Sequence, residues 1–159
     1  MPINCTTDPI TQCVDCPGIP TTPAQLPTLV STPIFGWNAG ALSVQHLGAA
    51  CYTEFSVGPM AAGVVGLVDD FSDVTDPTQV RLGWYVAAVG GRTTASAYER
   101  GQLVSSPRVV RPSTALRIER IGTLARYLVD GEVIHTSQHT ALGMLAVQAS
   151  LYASGDTVV

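Results

Sequence analysis

The segment TALRIERIGTLARYLVDGEVIHTS, residues 114–137, contains three short apolar runs separated by two turns. The first run alternates apolar and charged residues and ends at Gly122, and the pair Asp130-Gly131 separates the second run from the third. Alternation with a period of two is typical of a half-buried strand, and Asp-Gly between two such runs is typical of a tight hairpin. The segment therefore predicts a three-stranded antiparallel meander.

Similar runs recur from Phe35 onward, with turn residues between them and no amphipathic helical period. The predicted strands are 41–47, 51–57, 64–68, 80–89, 94–100, 109–110, 115–121, 124–130, 132–136 and 144–152. Many short strands at this spacing fit two packed sheets. We therefore predict an all-β, two-sheet antiparallel sandwich over residues 35–159.

The alternation also assigns strand faces, because successive side chains on a strand point to opposite sides of the sheet. The residues predicted to face inward are Cys51, Thr53, Phe55 and Val57, then Val80, Leu82, Trp84 and Val86, then Leu145, Val147, Ala149 and Leu151. Arg81, Gly83 and Tyr85 are predicted to face outward.

The first 34 residues differ in composition from the rest of the chain. Seven of the 11 prolines lie within the first 33 residues, which disfavours helices and central strands because each proline lacks an amide donor. We predict a Pro/Cys-rich extended arm over residues 1–34. Its cysteines, Cys5, Cys13 and Cys16, fit a disulfide, plain thiols or a zinc or iron–sulfur site; there is no second paired motif to complete a metal site.

Overall charge and hydropathy exclude some partners. The 159 residues carry a net charge of −4 and no lysine, so we expect neither nucleic acid nor an anionic membrane surface as a partner. No apolar run reaches about 18 residues, which argues against membrane insertion. The first residues lack a basic and then apolar leader, so we expect synthesis in the cytoplasm without a signal peptide.

Eight segments, in order, resemble the jelly-roll domains of the concanavalin A-like lectin/glucanase superfamily, in the LamG-like form found in phage tail and fibre proteins and bacterial surface proteins. They are GWNAGALS (36–43), YTEFSV (52–57), GVVGLV (63–68), LGWYV (82–86), AYERG (97–101), LRIERIG (116–122), RYLVDGEVIHTS (126–137) and ASLYASGDTV (149–158). The resemblance implies a concanavalin A-like jelly roll with a role in adhesion or assembly. Domains of this family usually continue through a further closing strand, so we expect the last strand to be truncated or supplied by another segment.

Candidate ligand-binding residues come from the aromatic and charged side chains. Tyrosines predicted to face outward can stack on a sugar ring, and we assign this role to Tyr85, Tyr98 and Tyr127, together with Arg81. The acidic loop contributes Asp69, Asp70, Asp73 and Asp76, but it lacks the D-x-D-x-D-G spacing of a calcium loop, so we expect solvated turn carboxylates rather than a Ca²⁺ site.

No catalytic residue and no cofactor is predicted, apart from the alternative of a metal at the arm cysteines. Glu54, Glu99, Glu119 and Glu132 could supply the carboxylate pair of a glycosidase, but the glucanase strand motif is absent. His135 and His139, without a helix and without the Glu of H-E-x-x-H, are expected to be unrelated surface or satisfied histidines.

The leading hypothesis is a non-enzymatic structural or adhesive virion component of a tailed phage, such as a tail, fibre, baseplate or decoration protein. Its lectin-like domain would be attached through the arm to other virion proteins or to copies of itself, with host surface polysaccharide as a ligand. The alternative is a stand-alone carbohydrate-binding module or glycan-processing enzyme.

Overall fold

The computed structural model describes residues 29–30, 36–37, 39–58, 60, 62–69, 73–139, 143–153 and 156–158. Predictions for Cys5, Cys13, Cys16, Asp70 and residues 1–28 of the arm lie outside this set. The strands are β1 (Leu29–Val30), β2 (Ala39–Leu42), β3 (Ala50–Phe55), β4 (Ala62–Val68), β5 (Leu82–Val89), β6 (Arg92–Glu99), β7 (Gln102–Leu103), β8 (Arg108–Val109), β9 (Leu116–Ile121), β10 (Leu124–Val129), β11 (Glu132–Thr136), β12 (Ala146–Leu151) and β13 (Thr157–Val158).

Two antiparallel sheets form a sandwich, as predicted. The small sheet has the order β11-β10-β9-β3, so the predicted meander forms three of its four strands. The large sheet has the order β2-β12-β4-β5-β6-β7, with β8 also paired to β6. The 3₁₀ helix Pro77–Gln79 lies between β4 and β5.

The core lies between the two sheets and follows the predicted faces closely. Cys51, Phe55 and Val57 of the small-sheet side meet Leu82, Trp84 and Val86 of β5 and the alternate residues of β12. The indole Nε1 of Trp84 donates a hydrogen bond of 3.1 Å to the carbonyl of Arg117, which joins the large sheet to the small one.

Val80 is the exception, because the structure places it on the outer face of the large sheet rather than in the core. It follows the 3₁₀ helix, and its amide donates to the carbonyl of Pro77, so it belongs to a loop and not to β5. The prediction failed because it began the strand at Val80, which is the C-cap of this helical turn, whereas β5 begins at Leu82.

The last described strand pairs with a segment that the sequence assigned to the arm. Leu29 pairs with Val158 and Val30 with Thr157, and Val158 also forms a bridge with Val57. Residues 29–30 therefore close the domain at the position where the family pattern led us to expect a strand from another segment.

Within the described part of the chain, no helix has the length and apolar character needed to cross a membrane.

Candidate functional site

The outer face of the large sheet carries two of the predicted ligand-binding tyrosines side by side. Tyr85 of β5 and Tyr98 of β6 stack with ring centroids 6.4 Å apart and an interplanar angle of 27°. Tyr98 is buried against Val64, Val68 and other residues of a second apolar cluster, whereas Tyr85 is only partly buried at the edge of that cluster. Burial, and then the nearby Asp76 carboxylate, raises the pKa of Tyr98. Tyr85 is therefore the ring that can meet a ligand, and Tyr98 supports it.

The open surface around Tyr85 continues toward the edge of the sheet. Leu103 lies directly across from Tyr98, and Val109 lies directly across from Thr94. Directly paired residues of neighbouring strands share one face, and both Leu103 and Val109 are exposed. This part of the face thus offers one aromatic ring flanked by aliphatic side chains.

The loop that contains Val74 covers another part of the same face. The amide nitrogen of Gln148 donates to the carbonyls of Val74 (3.4 Å) and Asp76 (3.1 Å), and the hydroxyl of Ser150 donates to the carbonyl of Val74 (2.8 Å). A side chain at Gly40 would collide with that carbonyl, which explains why β2 carries glycine there.

Arg81 does not join the tyrosine pair. Its guanidinium forms an ion pair of 2.9 Å with Asp69. Val80 packs over Gly83, so tightly that a Cβ at Gly83 would lie 2.6 Å from its methyl carbon. Because Gly83 lies between Arg81 and Tyr85 along the chain, the predicted site is interrupted at this point.

The prediction that Tyr127 faces outward was wrong, because the structure places its ring entirely in the core. It packs edge to face against Trp84, and burial strongly raises the pKa of its hydroxyl. Both sets of alternating residues in β10 are mostly apolar, so alternation alone did not determine which set faces the core. The charge of Arg126 was the signal that its neighbour Tyr127 faces inward.

Two carboxylates of the acidic loop, Asp73 and Asp76, accept hydrogen bonds from residues of the same loop. Asp73 accepts from the hydroxyl and amide of Thr75, and Asp76 accepts from the hydroxyl and amide of Thr78 and from the side chain of Gln79. These bonds lower the pKa of both carboxyls, and the bond from the threonine hydroxyl has the largest effect in each case. Asp76 is also the N-cap of the 3₁₀ helix.

Sequence reasoning missed a cluster around Glu99. This carboxylate faces into the sandwich with 3% of the residue exposed. His135 Nε2 lies 3.3 Å from one carboxylate oxygen and His139 Nε2 lies 3.6 Å from the other. The two histidines therefore share one partner, contrary to the expectation that they are unrelated. No local signal connects residue 99 with residues 135 and 139.

The other glutamates are each held by an arginine. Glu54 pairs with Arg117 at 2.7 Å, Glu119 with Arg126 at 3.5 Å and Glu132 with Arg108 at 3.5 Å. Arg117 also lies over the ring of Tyr52, 4.4 Å from its centroid. All three glutamates belong to the small sheet, so none lies on the face of Tyr85.

Comparison with known proteins supports the fold. No protein-family model matches the chain, and no curated protein sequence matches it. Among solved structures, the TRIM65 PSpry domain matches with a TM-score of 0.56 and 14% identity, covering 79% of this chain and 70% of that chain. An uncharacterized protein (Rv0315 ortholog) from Mycobacterium paratuberculosis matches with a TM-score of 0.50 and 8% identity, covering 82% and 76%.

A carbohydrate-binding module, CBM66 from Bacillus subtilis, is a more distant match, with a TM-score of 0.44 and 14% identity over 82% of this chain and 86% of that chain. At such identities a likeness concerns the fold alone. The observed strand order makes the domain a two-sheet antiparallel jelly-roll sandwich.

Proposed function

We propose that this chain is a non-enzymatic, lectin-like domain that binds glycan on the outer face of the large sheet, at Tyr85. The observation that carries the proposal is the stacked pair, in which the partly exposed ring of Tyr85 lies against the buried ring of Tyr98. A ring held in this way can stack on the apolar face of a sugar at little cost in side-chain entropy. Exposed Leu103 and Val109 extend the apolar surface beside it.

The positions of the glutamates favour binding over hydrolysis. A glycosidase needs two carboxyl groups on either side of the scissile bond, one of them able to donate a proton. No glutamate of the described residues lies on the Tyr85 face, and Glu54, Glu119 and Glu132 are each paired with an arginine. Glu54 and Glu119 share the outer face of the small sheet, so a glycosidase that uses two glutamates would have to work there.

We further propose that the domain acts on the surface of a phage particle, as a tail, fibre, baseplate or decoration protein. This part rests on the sequence resemblance and on the Pro-rich segment before residue 29, and not on the structural comparisons. Host surface polysaccharide is then the proposed ligand, and other virion proteins are the proposed neighbours.

A glycan array with matched variants tests the binding site. We expect wild type to bind a subset of glycans and Tyr85→Ala to weaken that binding by about tenfold, roughly 1.4 kcal/mol. Ile121→Ala removes an exposed apolar residue of the other sheet and should bind like wild type. Equal binding by the two variants would place the site elsewhere, and no binding to any glycan would contradict the proposal.

Two further measurements separate the alternatives. Release of reducing sugar by wild type that is lost in Glu54→Gln would establish the enzyme alternative. Co-purification of the chain with phage particles is expected for a virion component whether or not it binds glycan, and its absence from particles would contradict the virion assignment.

A further inference from the structure

Two arginines lie side by side at the end of the large sheet where β5 turns into β6. The amide of Val110, one residue beyond β8, donates to the carbonyl of Thr93 of β6 (2.9 Å), so the register of these two strands continues past the end of β8. The next pair in that register is Arg92 with Arg111. Directly opposed side chains lie close together on one face of a sheet, so the two guanidinium groups project from neighbouring positions.

Both arginines belong to the outer face that carries Tyr85. Tyr85 pairs with Ser96 of β6, and Arg92 lies four residues before Ser96, so alternation puts these three side chains on one side of the sheet. Val110 packs in the core, so Arg111, the residue after it, faces outward as well. Arg92 and Arg111 are both exposed.

The backbone holds each arginine in a defined position. The turn before Arg92 consists of Gly90 and Gly91, which have positive φ angles of 57° and 76°, as a tight two-residue hairpin requires. Buried Thr114 binds both backbone groups of Arg111, since its hydroxyl accepts from the Arg111 amide (3.0 Å) and its amide donates to the Arg111 carbonyl (2.9 Å). The two side chains therefore start from a fixed framework.

Neither Arg92 nor Arg111 forms an ion pair with a described residue. Each carboxylate in the described part of the chain has a partner elsewhere: Glu54, Asp69, Asp73, Asp76, Glu99, Glu119, Asp130, Glu132 and Asp156. Like charges directly opposite each other destabilise a sheet. An anion held between the two guanidinium groups would offset that repulsion.

The described acidic groups of this face lie at its other end, away from the arginines. Asp69, Asp73 and Asp76 belong to the connection that leads into β5 at Leu82, whereas the two arginines lie beside the end of β5. From Tyr85 toward Arg92 the face spans four residues, which is about 13 Å. The pair that lies between them, Ala87 and Thr94, is uncharged.

We propose that Arg92 and Arg111 form a clamp for an anionic substituent of the glycan that stacks on Tyr85, which makes the ligand an acidic polysaccharide. The inference rests on the proposed function. A guanidinium presents planar pairs of donors that match the oxygens of a carboxylate, sulfate or phosphate group, and two such groups can hold one anion between them. Nucleic acid is the weaker fit, because two arginines in a chain of net charge −4 neutralise few phosphates.

A glycan array with charged and neutral members tests the ligand class. We expect the glycans bound by wild type to carry carboxylate, sulfate or phosphate groups, and Arg92→Gln and Arg111→Gln each to weaken binding by about tenfold. The charged group that the bound members share identifies the anion. Arg100→Gln is the matched control, since it removes one charge from an exposed residue at the opposite end of β6 and should bind like wild type.

Two results on the array would overturn the clamp and leave Tyr85 as a glycan site. One is a set of bound glycans that are all neutral. The other is equal binding by Arg92→Gln, Arg111→Gln and Arg100→Gln. Tighter binding to duplex DNA than to any acidic glycan, with the same dependence on Arg92 and Arg111, would overturn the choice of ligand.

Inorganic sulfate tests the clamp without a glycan, by NMR of the arginine Nε–H groups. We expect the signals of Arg92 and Arg111 to shift together and to saturate, in Tyr85→Ala as in wild type, while the signal of Arg100 stays in place. Signals that sulfate leaves unmoved would overturn the clamp whatever the array shows. A saturable shift in a chain that binds no glycan would contradict the proposed function, and with it the assignment of a glycan to the clamp.

Discussion

Trp84 and Tyr127 meet edge to face between the two sheets, with ring centroids 5.5 Å apart and an interplanar angle of 84°. Each ring also donates a hydrogen bond to a backbone carbonyl of the opposite sheet. Trp84 of the large sheet donates to Arg117 (3.1 Å), and Tyr127 of the small sheet donates to Tyr98 (3.2 Å). The pair therefore joins the sheets by two reciprocal polar contacts as well as by packing.

Replacing Trp84 should be far more costly than replacing its neighbour Tyr85. Trp84 is fully buried, so Trp84→Ala should lower the free energy of unfolding by about 3–5 kcal/mol. Tyr85 is only partly buried on the other side of the sheet, so Tyr85→Ala should cost much less. Denaturant titration measures both values, and similar losses would show that the assignment of faces in β5 is wrong.

Tyr127→Phe isolates the hydroxyl of the same pair. The ring stays in place, but the carbonyl of Tyr98 loses a donor in a buried position, so we expect a loss of about 1 kcal/mol. Thermal or denaturant unfolding checks this value. A variant as stable as wild type would mean that this hydrogen bond adds nothing to the packing of the ring.

Asp76 should titrate below its ordinary pKa of 3.8 because Thr78 and Gln79 donate to its charged form. A pKa that is lower in the folded chain stabilises the fold above pH 3.8, and this contribution is lost as the pH falls through the folded pKa. Thr78→Val removes the hydroxyl donor, which lowers the pKa most, and should move the pKa back toward 3.8. NMR titration of the Asp76 carboxyl measures the change, and an unchanged pKa in the variant would contradict the assigned cause.

Asp156→Ala should destabilise the fold near β13. Buried Asp156 accepts hydrogen bonds from the amides of Ala62 (3.4 Å), Tyr152 (3.3 Å) and Ala153 (2.7 Å). Their loss should cost about 1.5–3 kcal/mol, the range for bonds to a charged group. Glu132→Ala is the control, since an exposed ion pair contributes about 0–1 kcal/mol. Equal unfolding midpoints for the two variants would contradict this role for Asp156.

The sequence predicted well those parts of the fold that are determined by residues close together along the chain. The meander of β9, β10 and β11 follows from two turns and the runs between them. The faces of β5 and β12 follow from alternation, because each of these strands has one set of residues much larger or more apolar than the other.

The parts that failed have specific physical reasons. Val80 was misplaced because it ends a helical turn and is not the first residue of β5, although Asp76, Pro77 and Thr78 are typical of an N-cap and first turn. Tyr127 was misplaced because both faces of β10 are mostly apolar. The cluster of Glu99, His135 and His139 joins distant parts of the chain, so its formation depends on how the sheets pack.

The pairing of β1 with β13 fixes the end of the sandwich at which Leu29 lies. Val158 bridges to Val57, which lies beyond the end of β3 farthest from Ala50, so Leu29 lies at the end of the sandwich that carries the hairpins of β5 with β6 and of β10 with β11. The hairpin of β9 and β10 lies at the opposite end. A domain attached through Leu29 would therefore present that hairpin away from the point of attachment.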